Sequence, residues 1–488
     1  MTNLGLTSIR AHGLFHDDIG IYSEDASGNP VYNFTRSDEI FDFLTDLNIA
    51  PIVELASMPA DLAADPSQTV FDWKMIVSPP KDYDKWGALV QAFVAHSVER
   101  YGAATVSNWY FEVWNEPECC NGKFWKGGPE GYMNLYDKAA AGVRAALPTG
   151  RVGGPVTSQP VELEGEDRQW ERGAGVQFLD HIQTAGTPLD FFSFHTWSFI
   201  KGAVDGYFQG LDLLDRYGHN NIQIAVTEFG PTWEFGLRGV PLSTGVAGDP
   251  GEPAWEPQEM DQGATFVAQV YSNIAQRCVK EGKRFPITYA WWTLSDVFDE
   301  GYEDQADYVL EENPFIGAMG LVNREGIHKP AYNAYKFLAQ MGDELLSLDV
   351  TGEGDVGGMA ARDRSGGVQV LLYNGQDPGD GYQNDKYYSS AEAQEIGVTV
   401  AGLDPEMAYD ITAYRIDESH GNSFAAWDTL GRPTMANMTA DNWTALRAGM
   451  DSAPEPLGEA LCGSTYSHKF TLGSPGVLLL TILPAVAE

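Results

Sequence analysis

At 488 residues the chain is too long for one ordinary domain and suits one large domain followed by a smaller one. With 43% hydrophobic residues, 13 Trp, 22 Tyr and 23 Phe, it has the material for a substantial core, which argues against disorder. The balance of 69 Asp+Glu against 30 Lys+Arg gives a net charge of -39, a field that repels nucleic acid and anionic membrane surfaces and excludes both as partners.

In chain order, strand-like and helix-like segments alternate. LTSIRAHG (6–13) has the pattern of a strand, and SDEIFDFLTDLNI (37–49) that of an amphipathic helix with Ser37 as its N-cap. IAPIVELAS (49–57) is a buried strand, and KDYDKWGALVQAFVAHSVERYG (81–102) a long helix stopped by Gly102. WYFEVWNEP (109–117) is a strand and PEGYMNLYDKAAAGVRAALP (129–148) a helix. RVGGPV (151–156), LDFFSFHTW (189–197), IQIAVTEFG (222–230) and PITYAWWTLSDV (286–297) are further strands, with helices near 173–186, 207–218, 261–282 and 329–344.

Short apolar strands alternating with helices imply a parallel sheet covered on both faces. For this length the expectation is an α/β fold, a (β/α)8 TIM barrel over residues 1–344, with polar residues at the strand ends where such barrels keep their chemistry. Only seven strands are legible, so the first β/α unit is expected to be absent or truncated, leaving two barrel edges unpaired. From about 345 helical periods vanish, and GGVQVLLYN (366–374), EIGVTVAGL (395–403), AYDITAYRI (408–416) and GVLLLTILP (476–484) predict an antiparallel β-sandwich domain over 345–488.

Four cysteines, Cys119, Cys120, Cys278 and Cys462, do not make a disulfide framework, and the adjacent pair is expected to stay unbridged. Their spacing predicts no metal site, and nothing in the chain calls for a cofactor. No apolar run reaches the roughly 20 residues of a membrane helix. The start MTNLGLTSIRAHG lacks a signal pattern, so the sequence as given predicts a cytoplasmic protein; residues upstream of Met1 would alter that expectation.

Glu116 and Glu228 each close an apolar strand, the third and sixth in order. An isolated strand-end glutamate is usually a salt-bridge partner or a cap. Two at equivalent ends, one preceded by Asn115 and ringed by Trp109, Trp114 and Trp125, point instead to glycoside hydrolysis, where one carboxyl protonates the departing oxygen and the other meets the sugar carbon. A separation of about 5–5.5 Å would mean a covalent intermediate, and a wider one inversion by water. His195 ends a strand at the same rim, as a donor to the nucleophile or as a satisfied core histidine. Trp73, Trp197, Trp233 and Trp292 either stack on sugar or fill the top of the barrel.

Seven ordered blocks, RAHGLFHDDIGIY (10–22), FDFLTDLNIAPIVELASMP (41–59), PPKDYDKW (79–86), FEVWNEP (111–117), VGGP (152–155), VTEFG (226–230) and WWTLSDVFDE (291–300), resemble glycoside hydrolase family 39, most of all its β-xylosidases, whose relatives include α-L-iduronidases. The resemblance implies Glu116 as acid/base, Glu228 as nucleophile, and Asn115 as the amide that bonds the sugar 2-hydroxyl. It implies that His12, His195, Trp292, Asp299 and Glu300 line the sugar subsite, with Asp299 standing where the family often has Glu. The insertion at 231–259 and the Cys119-Cys120 loop depart from the family and leave the sugar open.

The leading expectation is thus a retaining exo-glycosidase of β-xylosidase type acting on an oligosaccharide or small glycoside. The same chemistry on an arabinoside, galactoside or uronide stands beside it, as does a non-catalytic or truncated carbohydrate-binding barrel. Cations near the motifs are sparse apart from Arg10, Lys123, Lys126 and Arg238, which disfavours a uronide. The sequence admits a homo-oligomer without requiring one.

Overall fold

The computed structural model describes residues 4–159, 170–231, 257–296, 313–315, 319–352, 354–375, 393–461 and 464–485. Seven strands stand in chain order in one parallel sheet: β1 (Ser8–Ala11), β2 (Ala50–Leu55), β3 (Tyr110–Val113), β4 (Arg151–Thr157), β5 (Phe191–Ser198), β6 (Gln223–Pro231) and β7 (Thr288–Trp291). These are the seven the sequence marks. The first and last approach each other, with no ladder between them among the described residues, so the barrel is nearly closed.

Helices cover the outside. α1 (Thr35–Asp46) turns Phe41 and Leu44 inward. Ser37 is not its cap: the N-cap is Phe34, and Ser37 lies buried in the first turn with its Oγ donating to the Phe34 carbonyl at 2.9 Å. Asn33 starts the helix earlier, because its side-chain carbonyl accepts from the Thr35 N–H at 3.1 Å. α2 (Tyr83–Tyr101) is capped by Asp82, which accepts from the N–H groups of Asp84 and Lys85, and it stops at Gly102 with φ 83°. It lies close against α3 (Gly128–Ala146), where a Cβ on Gly142 would stand 2.5 Å from the Gly87 carbonyl; larger side chains would force the two helices apart. α4 (Trp170–Ala185), α5 (Ile200–Arg216), α6 (Asp261–Glu281) and α7 (Pro330–Leu338) complete the described cover. None of the described helices is long and apolar enough to cross a membrane.

Beyond the barrel, β8 (Glu344–Leu346), β9 (Val356–Arg362), β10 (Val368–Asn374), β12 (Ala408–Ile416), β13 (Glu455–Leu461) and β15 (Gly476–Pro484) form an antiparallel sheet in the order β8-β9-β10-β15-β12-β13. β11 (Gln394–Ala401) pairs with β14 (Thr465–Leu472) in a separate ladder. Val368, Val370, Leu478 and Leu480 of the large sheet share one buried cluster with Val398, Val400 and Phe470 of the small one.

The expectation that helices end near 345 is not met. α8 (Ser423–Thr429) and α9 (Ala440–Gly449) form an excursion between β12 and β13. Each is one to three turns long and is started by a side-chain cap, Asn422 for α8 and a Thr439–Asn442 capping box for α9, so neither has a long apolar period to betray it. Their Phe424, Trp427 and Leu446 close over Phe315 and Ile327, which belong to the segments between β7 and α7. Buried Asn333 of α7 donates to the carbonyls of Gly421 (3.0 Å) and Met450 (2.8 Å), tying the excursion to the barrel.

A second tie is ionic. Lys329, at the start of α7, is fully buried between Glu259 (3.0 Å) and Asp296 (2.9 Å), both also buried, and Asp296 further accepts the Gly320 N–H at 2.7 Å. Burial lowers the affinity of Lys329 for its proton, but Asp296 and Glu259 outweigh it and hold the ammonium charged.

Candidate active site

The carboxyl ends of the strands leave regular β geometry where the polar residues stand. Beyond β3, Trp114 (φ 75°) and Glu116 (φ 40°) take left-handed backbone, a conformation that costs on the order of 1–3 kcal/mol per residue for such side chains. Buried contacts hold them there: Trp114 Nε1 donates to the Phe124 carbonyl (2.8 Å), and the Glu116 N–H donates to the Val156 carbonyl at the end of β4 (3.0 Å). On β6 the register with β5 shifts between Val226 and Glu228, and this bulge brings Glu228 level with His195.

Inside the strand ends, one guanidinium organises four acceptors. Arg10 of β1 reaches Glu54 (2.8 Å), Glu112 (2.6 Å), Glu228 Oε1 (2.8 Å) and the Asn115 Oδ1 (2.9 Å). Glu54 and Glu112 are partners in the β2–β3 register, so they enter the barrel side by side. Burial works against the charge of Arg10, and the carboxylates of Glu112, Glu54 and Glu228 overcome it, raising its pKa. Burial likewise pushes Glu54 up, but Arg10 and His12 pull it below the ordinary carboxylate value. His12 Nδ1 stands 2.6 Å from Glu54, and its ring is edge-on to Trp292 (5.1 Å) and Trp73 (5.9 Å).

His195 joins the two strand-end glutamates. Its Nδ1 lies 2.7 Å from Glu116 Oε1 and 3.3 Å from Glu228 Oε2. Burial lowers its pKa to about 4, with Glu228 opposing, so near neutral pH the ring is uncharged. A neutral ring whose Nδ1 faces two carboxyl groups carries its single proton there and serves as donor to them. One atom each from Glu116, His195 and Glu228 all lie within 4.8 Å of one another, so the two carboxyl groups face a common space. These three are the described cluster tight enough to ligate a metal, but Arg10 already places a positive charge on Glu228.

Glu118, two residues beyond Glu116, is a carboxyl of another kind. Its Oε1 accepts from the Ser158 N–H (2.6 Å) and Oγ (2.8 Å), and its Oε2 is buried without a partner among the described residues. Burial first, and the charge of Glu116 second, push its pKa up to about 8, so near neutral pH it is a protonated acid.

Of the residues marked in sequence, Glu116, Glu228, Asn115, His195, His12 and Trp292 are brought together. Asp299, Glu300, Trp233 and most of 231–259 lie outside the described residues. Trp109 does not ring Glu116: it precedes β3 at the opposite end of the strand and packs on Phe41 (5.0 Å) and Tyr101 (5.3 Å). Cys119 and Cys120 are bridged, contrary to expectation. Left-handed backbone at Cys120 (φ 59°) and Asn121 (φ 57°) curls the chain, and the Lys123 N–H donates to the carbonyls of both cysteines at 3.2 Å. Glu54, Glu112 and Glu118 join the site with no motif to mark them, and Arg10, expected only as a nearby cation, stands among them. The available signal was a carboxylate inside each of two apolar runs, APIVEL and YFEV.

The model of glycosyl hydrolases family 39 matches residues 1–457. A beta-xylosidase of Geobacillus stearothermophilus is 32% identical over 451 residues, covering 90% of this chain and 79% of that one. An alpha-L-iduronidase of Homo sapiens is 24% identical over 504 residues, covering 98% of this chain and 70% of the other. Among solved structures, the GH39 enzyme from Xanthomonas axonopodis pv. citri superposes with a TM-score of 0.78 at 25% identity, covering 99% of this chain and 89% of that one.

Proposed function

Because the chain belongs to glycosyl hydrolases family 39 and is a glycoside hydrolase, we propose that it is a retaining exo-β-xylosidase. The observation that carries the reading is the Glu116–His195–Glu228 cluster, in which one oxygen of each carboxyl and a ring nitrogen lie within 4.8 Å of one another, a close approach that suits a double displacement. In this reading Glu228 is the nucleophile. Arg10 and the His195 Nδ1–H stabilise its charge and aim it at the anomeric carbon. Glu116 gives its proton to the leaving oxygen as the covalent xylosyl-Glu228 ester forms. It then takes a proton from the water that cleaves the ester, returning both groups to their starting states. Asn115, its carbonyl oxygen held by Arg10, keeps its NH2 for the sugar 2-hydroxyl.

The sugar itself is read from how Arg10 is engaged and from the family likeness. Arg10 is spent on three carboxylates and an amide, so among the described residues this guanidinium is not available to a uronate. This favours a neutral sugar, and the likeness to the Geobacillus stearothermophilus beta-xylosidase favours a xyloside among neutral ones. Presence of both carboxyls favours an enzyme over a binding barrel. Residues 345–488 are read as a β-sandwich accessory domain whose helical excursion reaches back to the barrel.

The test is chemical. Glu228→Ala is expected to lose activity on aryl β-xylosides by roughly 10⁴-fold or more, and azide should restore turnover with an α-xylosyl azide as product. Glu116→Ala is expected to give the β-azide, with a rate loss of roughly 10²–10⁴-fold that grows with the pKa of the leaving group. Exchanged products would reverse the two roles.

A further inference from the structure

Lys123 stands out in a chain of net charge -39, because no carboxylate partners it among the described residues. Its ammonium lies instead over two rings, 5.3 Å from the centre of Phe71 and 5.4 Å from that of Phe124. Phe71 is stacked with Trp73 (5.6 Å, planes 10° apart) on the hairpin Thr69–Val70/Met75–Ile76, and Trp73 meets His12 of the pocket edge-on. An unbroken wall therefore runs from the pocket, through Trp73 and Phe71, out to Lys123.

The backbone shows which side this wall serves. The segment carrying Lys123 continues from Glu116: the Cys119 N–H donates to the Glu116 carbonyl (3.1 Å), and the Cys119–Cys120 turn holds the Lys123 N–H. The Lys126 N–H then closes onto the Val77 carbonyl of the hairpin strand's continuation (3.0 Å). Two more exposed lysines without carboxylate partners among the described residues flank the wall, Lys74 at the hairpin turn and Lys126; the exposed acid at the same turn is Asp72. On the glycosidase reading, a departing group protonated by Glu116 that leaves along this side meets these cations, whereas Arg10, the described cation between the strand ends, is already paired with carboxylates.

We propose that Phe71, Trp73 and Lys123 form a leaving-group subsite for a sugar bearing a carboxylate, so that the enzyme removes a neutral sugar from an acidic glycan. The proposal rests on the glycosidase reading above and assigns the Cys119–Cys120 turn a task, presenting Lys123. The rings supply a flat face for the sugar, and the ammonium meets its carboxylate at a polar rim.

The purified full chain is assayed on para-carboxyphenyl and para-carbamoylphenyl β-xylosides, leaving groups alike in shape and unlike in charge. At low ionic strength the carboxylate should be preferred in kcat/KM by about fivefold, the scale of one exposed ion pair, despite the repulsive field of the whole protein. The ratio should fall toward one in Lys123→Met, which keeps the apolar stem over the rings, and at about 0.5 M salt, where screening is complete within a few ångströms. A ratio of one or less in the unaltered protein, or a preference that survives Lys123→Met, overturns the proposal. Quenching of tryptophan fluorescence by methyl β-glucuronoside against methyl β-glucoside reads the same cation without turnover. Tighter binding of the glucuronoside supports the subsite even if no xyloside is cleaved, and equal binding overturns it even if xylosides are.

Discussion

Glu116 and Glu228 bring one carboxyl oxygen each within 4.8 Å and share His195, yet their other neighbours differ in kind. Glu228 is gripped by a guanidinium that also binds Glu54 and Glu112, and these carboxylates keep that guanidinium charged despite its burial. Glu116 has the neutral His195 on one side and the buried acid Glu118 two residues on, and both of those titrate away from their usual values. One carboxyl thus lies against a buried cation, and the other beside a carboxyl, Glu118, that burial holds protonated near neutral pH. With the roles proposed above, that contrast suits a double displacement, which asks for a nucleophile that stays ionised and an acid that alternates.

The largest break in this contrast comes from Arg10→Met. It strands Glu54 and Glu112 without their cation, and a loss of about 3–5 kcal/mol in unfolding free energy is expected. Activity should fall at least about 100-fold through the unsupported nucleophile. Urea unfolding and initial rates read the two effects, and a variant with native stability would remove the grid from the account. Next is acid. His195 has a folded-state pKa of about 4 against an ordinary 6.5, so its contribution is complete above 6.5 and lost as pH falls toward 4. It amounts to about 3 kcal/mol. Urea midpoints across that window should drop more steeply for the native chain than for His195→Gln. Smallest is base. Glu118, with its pKa raised to about 8, contributes fully only below its ordinary value near 4.5, and the contribution is lost as pH rises through 8. Glu118→Gln should therefore stabilise the protein at pH near 9 by about 1–3 kcal/mol, the cost of a poorly satisfied buried group, and by much less near pH 5.

All seven barrel strands were legible, because strands covered on both faces are continuous apolar runs ending abruptly in polar residues. Glu116 and Glu228 were legible for the same reason. Glu54 and Glu112 were not, since a single carboxylate within an apolar run gives no sign of its partner, and the partner, Arg10, lies on another strand. β9, VGGMAAR, escaped because its small residues carry little strand preference and are held by pairing with β10. β14, TYSHKFTL, alternates but shows water one whole face, so it lacks an apolar run. α8 and α9 are too short for periodicity, and only their caps announce them. The cysteine bridge depended on left-handed backbone at Cys120, which no residue type there advertises.

The buried Lys329–Glu259–Asp296 triad has an evolutionary reading. Glu259 closes the stretch that begins after β6, and Asp296 precedes the stretch that leads from β7 toward α7. Each stretch is thus fastened at a border by the same ammonium, independently of what lies beyond. Sequence between such borders can be lengthened, shortened or exchanged as a cassette while the catalytic strands keep their places. An engineer therefore has two seams, at Glu259 and at Asp296, at which to graft.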